Sequence, residues 1–178
     1  SLSALTAGIM IPYTLDAGEK QTKSDRLGEL LPQRKLGKTT EYVTMLGVGG
    51  YHFGTGSEKQ AQALLEAALE GGIRFFDCAV QYQNGGSEER MGKILTPKYR
   101  DVIFLMTKSE AKTAKRAQQE LDDSLRRLNT DYLDLWQVHA INSPGDVDNR
   151  IENGVLEVFS KAKESGKVRH IGFTGHRT

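Results

Sequence analysis

The sequence predicts an α/β protein built on a parallel sheet that curls into a barrel, and three observations carry that expectation. Five apolar runs of strand length alternate with four helix-period segments between Val43 and Thr174, the pattern of strands joined by helical crossovers. Asp77, Lys108 and His139 recur at intervals of 31 residues, each near the end of an apolar run. Finally, no G-x-G-x-x-G leads from the first strand into a helix. Gly47-Val48-Gly49-Gly50 is a partial echo, but Tyr51-His52-Phe53 follows it. An open dinucleotide-binding sheet uses that fingerprint to seat a pyrophosphate on a helix N-terminus, so the barrel is favoured.

Residues 1–33 read as a tail and linker, and residues 34–178 as the barrel region. The opening SLSALTAGIMIPYTL is apolar and rich in small side chains, yet shorter than the roughly 20 residues a membrane-spanning helix needs. It fits two readings, the hydrophobic end of an export signal whose basic start is missing, or an ordinary tail. Asp16 to Gln33 is charged with little periodicity, as a linker would be.

The elements then follow in order. Val43 to Gly50 is the first strand. Ser57 and Gln60 have capping-box spacing, and Ala61, Leu64, Leu65, Ala68 and Leu69 line one face of the first helix, which Gly71-Gly72 stops. Ile73 to Cys78 is the second strand, and Ser87 opens a helix with Met91, Ile94 and Leu95 on one side and Pro97 beyond its end. Val102 to Thr107 is the third strand. A helix from Thr113 to Leu128 places Ala114, Ala117, Leu121, Leu125 and Leu128 at helical spacing. Tyr132 to His139 is the fourth strand. Ile151, Val155, Phe159 and Ala162 mark a fourth helix ending at Gly166, and Val168 to Thr174 is the fifth strand.

Bulk properties narrow the function. A chain of 178 residues is long enough for one domain with a real core. Its net charge of +1, from 24 basic and 23 acidic residues without a dense basic run, argues against nucleic acid or an anionic membrane as partner. The single cysteine excludes an internal disulfide framework and a cysteine-rich zinc site. His52, His139, His170 and His176 show no tight pairing, so no metal is expected.

In a parallel barrel the C-terminal strand ends converge on one mouth. Asp77, Lys108 and His139 stand at the second, third and fourth of those ends, and Tyr82 lies on the loop just past Asp77. A free phenol, with a pKa of about 10, is a poor proton donor near neutrality. A neighbouring ammonium favours the phenolate, and a carboxylate holds such an ammonium charged and oriented. His139 offers a hydrogen bond to a carbonyl oxygen. The set suits protonation of an oxygen that is becoming an alkoxide, but it supplies no electron pair to carbon, so a hydride-donating cofactor is required.

These residues carry a resemblance to the aldo/keto reductase family. The matching features are Asp77-Cys78-Ala79 with Tyr82 and Gly85-Gly86-Ser87-Glu88-Glu89, the Thr107-Lys108 strand end, and Leu133-Asp134-Leu135-Trp136-Gln137-Val138-His139. Arg34-Lys35-Leu36-Gly37 leading into Leu46-Gly47-Val48-Gly49, and Gly166-Lys167-Val168-Arg169-His170-Ile171-Gly172, agree as well. The resemblance implies a parallel (β/α)8 TIM-type barrel of which only about the first five strands are present. It implies NADPH-linked reduction of aldehydes or ketones, with NADH as the alternative cofactor and a small carbonyl compound as substrate. It also implies the tetrad Asp77, Tyr82, Lys108 and His139, with Tyr82 as proton donor.

By the same resemblance Gly49, Gly50, Tyr51 and Asp77 match positions at the nicotinamide end of the cofactor. Thr174, Gly175 and His176 stand where the family commonly has Ser-Asn to hold the nicotinamide amide. Tyr51, Phe53, Trp136 and Asn142 are candidates to line the substrate pocket. Cys78 stands where Ser or Thr is frequent and reads as a small buried side chain, not a nucleophile. The alternative function is a cofactor-binding regulatory or partner subunit on the same barrel with little turnover. With three strands of the family's eight unmatched, the chain is expected to be a fragment that is neither stable nor active by itself. Location follows the two readings of the first residues: cytoplasmic, or exported to the periplasm.

Overall fold

Two short hairpins precede the parallel sheet in the computed structural model, which describes residues 22–175. The first pairs β1 (Ser24–Asp25) with β2 (Gly28–Glu29). The second pairs β3 (Gln33–Lys35) with β4 (Tyr42–Thr44). The stretch read as linker therefore contains a strand pair, and ion pairs fasten it. Asp25 meets Arg74 at 2.6 Å and Arg26 meets Asp101 at 2.7 Å. The Arg74 guanidinium holds the Asp25 carboxyl below the ordinary carboxylate range. Strands of two residues are too short to show the alternation by which strands are read. The sequence readings for residues 1–21, the export signal included, lie outside the described residues.

The sheet follows as β5 (Gly47–Gly49), β6 (Phe75–Asp77), β7 (Phe104–Ser109), β8 (Leu133–Ile141) and β9 (Val168–Gly175). All neighbours are parallel, and the spatial order equals the chain order. Between them run α1 (Glu58–Glu70), α2 (Gly86–Ile94), α3 (Thr96–Tyr99), α4 (Ala114–Arg127), α5 (Pro144–Glu152) and α6 (Val155–Glu164). The Ser57 side chain accepts from Gln60 N while the Gln60 side chain accepts from Ser57 N, so the expected capping box starts α1. Thr113 caps α4 in the same manner, accepting from Arg116 N.

Two boundaries differ from the sequence reading, each for a local reason. The first predicted strand is two: Tyr42–Thr44 turns back on β3, exposed Met45 and Leu46 make the step, and only Gly47–Gly49 joins the parallel sheet. The fourth predicted helix breaks at Gly154, whose φ of +75° takes the chain through the left-handed region. Ser143 caps the new helix α5, with Pro144 in its first turn, so Ile151 ends up exposed and off the Val155–Phe159–Ala162 face. Pro97 lies beyond the end of α2, as expected, and in the first turn of the short α3 that follows it.

The main core fills the space between the sheet's outer face and the helices. Phe76, Leu105 and Trp136 from the strands meet Leu65, Met91, Leu121 and Phe159 from the helices. The opposite face carries a smaller cluster of Phe104, Met106 and Leu135, packed against Phe75, Leu36 and Val43. Side chains alternate between these faces along each strand. On β7, Phe104, Met106 and Lys108 therefore share the inner face, and that parity aims Lys108 at the mouth.

Candidate active site

The end of β6 is built by close backbone approach. Gly50 N donates to Asp77 O at 2.7 Å, and a Cβ on Gly50 would stand 2.4 Å from that oxygen. Only glycine fits there, so Gly50 has a structural reason to be what it is. Past Asp77 the chain enters a turn, Tyr82–Gly85, in which Gln83 (φ +50°), Asn84 (φ +54°) and Gly85 (φ +90°) are all left-handed. Such a run costs energy at the two non-glycine positions and holds Tyr82 over the strand ends.

Lys108 is the hub. Its side chain is 5% exposed, and its ammonium donates to the Asp77 carboxylate, to Cys78 O at 2.8 Å and to Tyr82 Oη at 3.2 Å. Asp77 keeps a 35% exposed side chain at the mouth. His139 is buried, its ring 6.1 Å from that of Tyr82 and nearly perpendicular to it. A bulge follows: Ala140 has φ +55°, and its N–H donates to Thr174 Oγ1 at 2.9 Å. Arg150 Nη2 donates to His139 O at 3.4 Å from the helical side. The structure thus brings together all four residues singled out from the sequence.

The pocket and cofactor candidates divide. Tyr51 is exposed and meets the Tyr82 ring edge-on at 5.5 Å, so it stands at the mouth. Trp136 does not. It is fully buried on the outer face of β8, stacked flat on Phe159 of α6 at 3.6 Å. One residue of parity separates it from Leu135 and His139. Phe53 is likewise a core residue, buried beside Met91 and Leu65, with its carbonyl accepting from Arg90 Nη1. Asn142 is exposed one residue past β8. Around Gly49 a Cβ would meet nothing within 4 Å, so that glycine borders open space. Gly175 pairs with Ile141 in the sheet. His176 lies outside the described residues.

Cys78 is fully enclosed, its Sγ donating to Ser87 Oγ at 3.4 Å. Burial, with the Glu88 carboxylate nearby, pushes its thiol up to about 12. That is the behaviour of an inert core group, since nucleophilic cysteines are thiolates. The sequence marks Ser87 and Glu88 as part of the matching motif but assigns them no role behind the site. Ser87 Oγ donates to Gly50 O at 2.6 Å. The fully buried Glu88 accepts from Thr107 Oγ1 at 2.7 Å and from Arg127 Nη1 at 2.9 Å. An acidic pair in the first turn of a helix looks like ordinary macrodipole matching, which hid the burial of Glu88.

A parallel sheet whose successive strand ends carry an acid, a lysine and a histidine, with a phenol set on the lysine, is the arrangement expected of a parallel barrel with a candidate site at its C-terminal strand ends. The chain belongs to the aldo/keto reductase family, whose model matches residues 45–178. L-galactose dehydrogenase of Arabidopsis thaliana is 34% identical over 80% of this chain and 48% of its own length. Among solved structures, aldo-keto reductase AKR11C1 of Bacillus halodurans (holo form) is 31% identical with a TM-score of 0.71, across 82% of this chain and 50% of its own. An aldo-keto reductase from Klebsiella pneumoniae in complex with NADPH is 27% identical with a TM-score of 0.67, across 77% and 47% of the two chains. The five-stranded sheet is thus part of the barrel of this family, and the chain spans about half the length of the curated relatives it matches. No helix among the described residues is long and apolar enough to cross a membrane.

Proposed function

We propose that this chain carries the proton-transfer half of an NAD(P)H-dependent oxidoreductase that reduces aldehydes or ketones. The observation that carries the reading is the position of the Lys108 ammonium, in contact with both the Asp77 carboxylate and Tyr82 Oη. Asp77 fixes the Lys108 ammonium in a nearly dry setting, where its field is screened less than in water. Tyr82 donates its proton to the carbonyl oxygen as negative charge develops there, and Lys108 stabilises the phenolate left behind. His139, buried beside the Tyr82 ring, orients the carbonyl oxygen.

The residues present fit a nicotinamide at this mouth. Open space borders Gly49, exposed Tyr51 flanks Tyr82, and the Thr174 hydroxyl keeps its own proton to donate after accepting from Ala140. Gly49, Gly50, Tyr51, Asp77 and Thr174 would hold that end of the cofactor. A bound reduced nicotinamide, NADPH or NADH, would supply the hydride that this set of residues lacks. The reported NADPH complex of a relative supports this choice.

Replacing Tyr82 with Phe in the whole protein tests the reading. Carbonyl-dependent NADPH oxidation is expected to fall by about 10²–10⁴-fold, the usual contribution of a general acid, with NADPH binding retained. Near-normal turnover in that variant would remove Tyr82 from the role. Tight NADPH binding by the wild type without oxidation by any carbonyl compound would favour a regulatory or partner subunit instead.

A further inference from the structure

The Tyr82 turn is a short 3-10 segment that carries three successive left-handed residues, and it is braced from outside as well as by its own backbone hydrogen bonds. The side chain of Arg127 lies against it: a Cβ on Gly85 would stand 2.7 Å from Arg127 Nε. Arg127 is in turn fixed by Glu88, which sits in the first turn of α2, six positions after Tyr82. The other oxygen of Glu88 accepts from Thr107, the residue before Lys108. Because strand side chains alternate, Thr107 faces the helices while Lys108 faces the mouth. One fully buried carboxylate therefore ties the loop bearing the phenol to the strand bearing the ammonium.

We propose that Glu88, clamped between Arg127 and Thr107, is a positioning residue that sets the contact between Tyr82 and Lys108. The inference rests on the reading of Tyr82 as proton donor. Glu88 itself has no access to substrate or cofactor, since it lies behind the sheet with no exposed surface. Its effect must come through geometry, and misplacement of a reacting group by about 1 Å can cost on the order of 10² in rate.

The test compares Glu88→Gln, Thr107→Val and Thr107→Ser in the whole protein, with folding checked by circular dichroism. Glu88→Gln keeps an oxygen for Thr107 but loses the charge that holds Arg127. Thr107→Val removes the hydroxyl and leaves the Glu88–Arg127 pair, and Thr107→Ser restores the hydroxyl. The expected result is a kcat about ten- to a hundredfold lower in the first two, with the NADPH dissociation constant within about twofold of wild type. Thr107→Ser should return most of the rate.

A second readout needs no turnover. The ring signal of Tyr82, identified in carbon-13 tyrosine spectra by its loss in Tyr82→Phe, should shift in Glu88→Gln while that of Tyr42, on the far hairpin, stays. A Tyr82 signal unmoved in folded Glu88→Gln and Thr107→Val overturns the proposal, whatever the rates do. If the wild type reduces no carbonyl compound, the reductase reading falls and the Tyr82 signal alone decides the positioning claim. Should Glu88→Gln fail to fold, Thr107→Val carries both measurements.

Discussion

The two sides of the candidate site are built on different principles. On the β5–β7 side, the first turn of α2 bonds to three strand ends through Ser87 and Glu88, and α4 closes over it with Arg127. Ser87, Glu88, Thr107 and Arg127 each have a hydrogen-bond partner behind the sheet. On the β8–β9 side, the outer face opens into an apolar groove of about 310 Å³ lined by Val138, Ile151, Leu156 and Phe173, and Phe173 is 71% exposed. The groups that fix Asp77, Tyr82 and Lys108 are thus buried and mutually bonded. His139 is held by a bulge, by Thr174 and by Arg150 next to a sparsely covered strand. Support for the site is therefore local: it comes from cross-links behind each strand end.

The dense side should break hardest at Gly92. A Cβ there would stand 1.8 Å from Arg127 O and 2.8 Å from its carbonyl carbon, both backbone atoms that cannot swing aside. Gly92→Ala gains about 1 kcal/mol of helix propensity, but overpacking of this kind costs about 3 kcal/mol or more. A net loss is expected in urea unfolding, with the Tyr82 turn loosened because Arg127 is displaced. A Gly92→Ala protein of wild-type stability would show that α2 and α4 can part without consequence, which would undo the contrast drawn between the two sides.

Much of this was legible beforehand, and what was not has physical causes. The alternation of strands and helices shows because a buried parallel sheet needs apolar runs with amphipathic covers. Asp77, Lys108 and His139 show because strand ends are the one place where a charge can leave such a run. Trp136 was misread as pocket lining for want of counting parity: it is three positions from His139, an odd step, so it must face the helices. Phe53 was misread because its neighbour Tyr51 does point outward, and nothing local separates the two. The β1–β2 hairpin was hidden since its hold comes from Arg74 and Asp101, far along the chain. Glu88 was hidden for the same reason, its partners lying on β7 and α4.

The β8 side should lose stability in strong acid. Asp146, in the first turn of α5, takes hydrogen bonds from Lys112 and Arg150, and these cations hold its carboxyl down to about 2. Arg150 also donates to Ala111 O and His139 O, so the pair reaches the candidate site. A folded-state value below the unfolded one means that this contribution is complete above about pH 4 and is lost as pH falls through about 2. Asp25 and Asp101, lowered by Arg74 and Arg26, act in the same direction at the first hairpin. Unfolding followed from pH 6 to pH 2 should therefore show falling stability. Asp146→Asn should be less stable at pH 6 and should flatten the fall. An unchanged slope would mean that the Asp146 cluster does not respond to pH as a unit.

The smallest effect is expected at the open groove, and it bears most directly on the comparison. Phe173 has the side-chain area of a core residue but touches little, because its neighbours on α5 and α6 stand back across the groove. Deleting a buried phenylalanine costs about 3–5 kcal/mol, whereas exposed substitutions usually fall within about 0.5 kcal/mol. Phe173→Ser should therefore lower the unfolding free energy of the whole protein by no more than the exposed figure. A loss of several kcal/mol would mean that the groove is covered in solution. The β8–β9 side would then be a packed wall of the site after all, and the asymmetry between the two sides would belong to the isolated chain and not to the assembled protein.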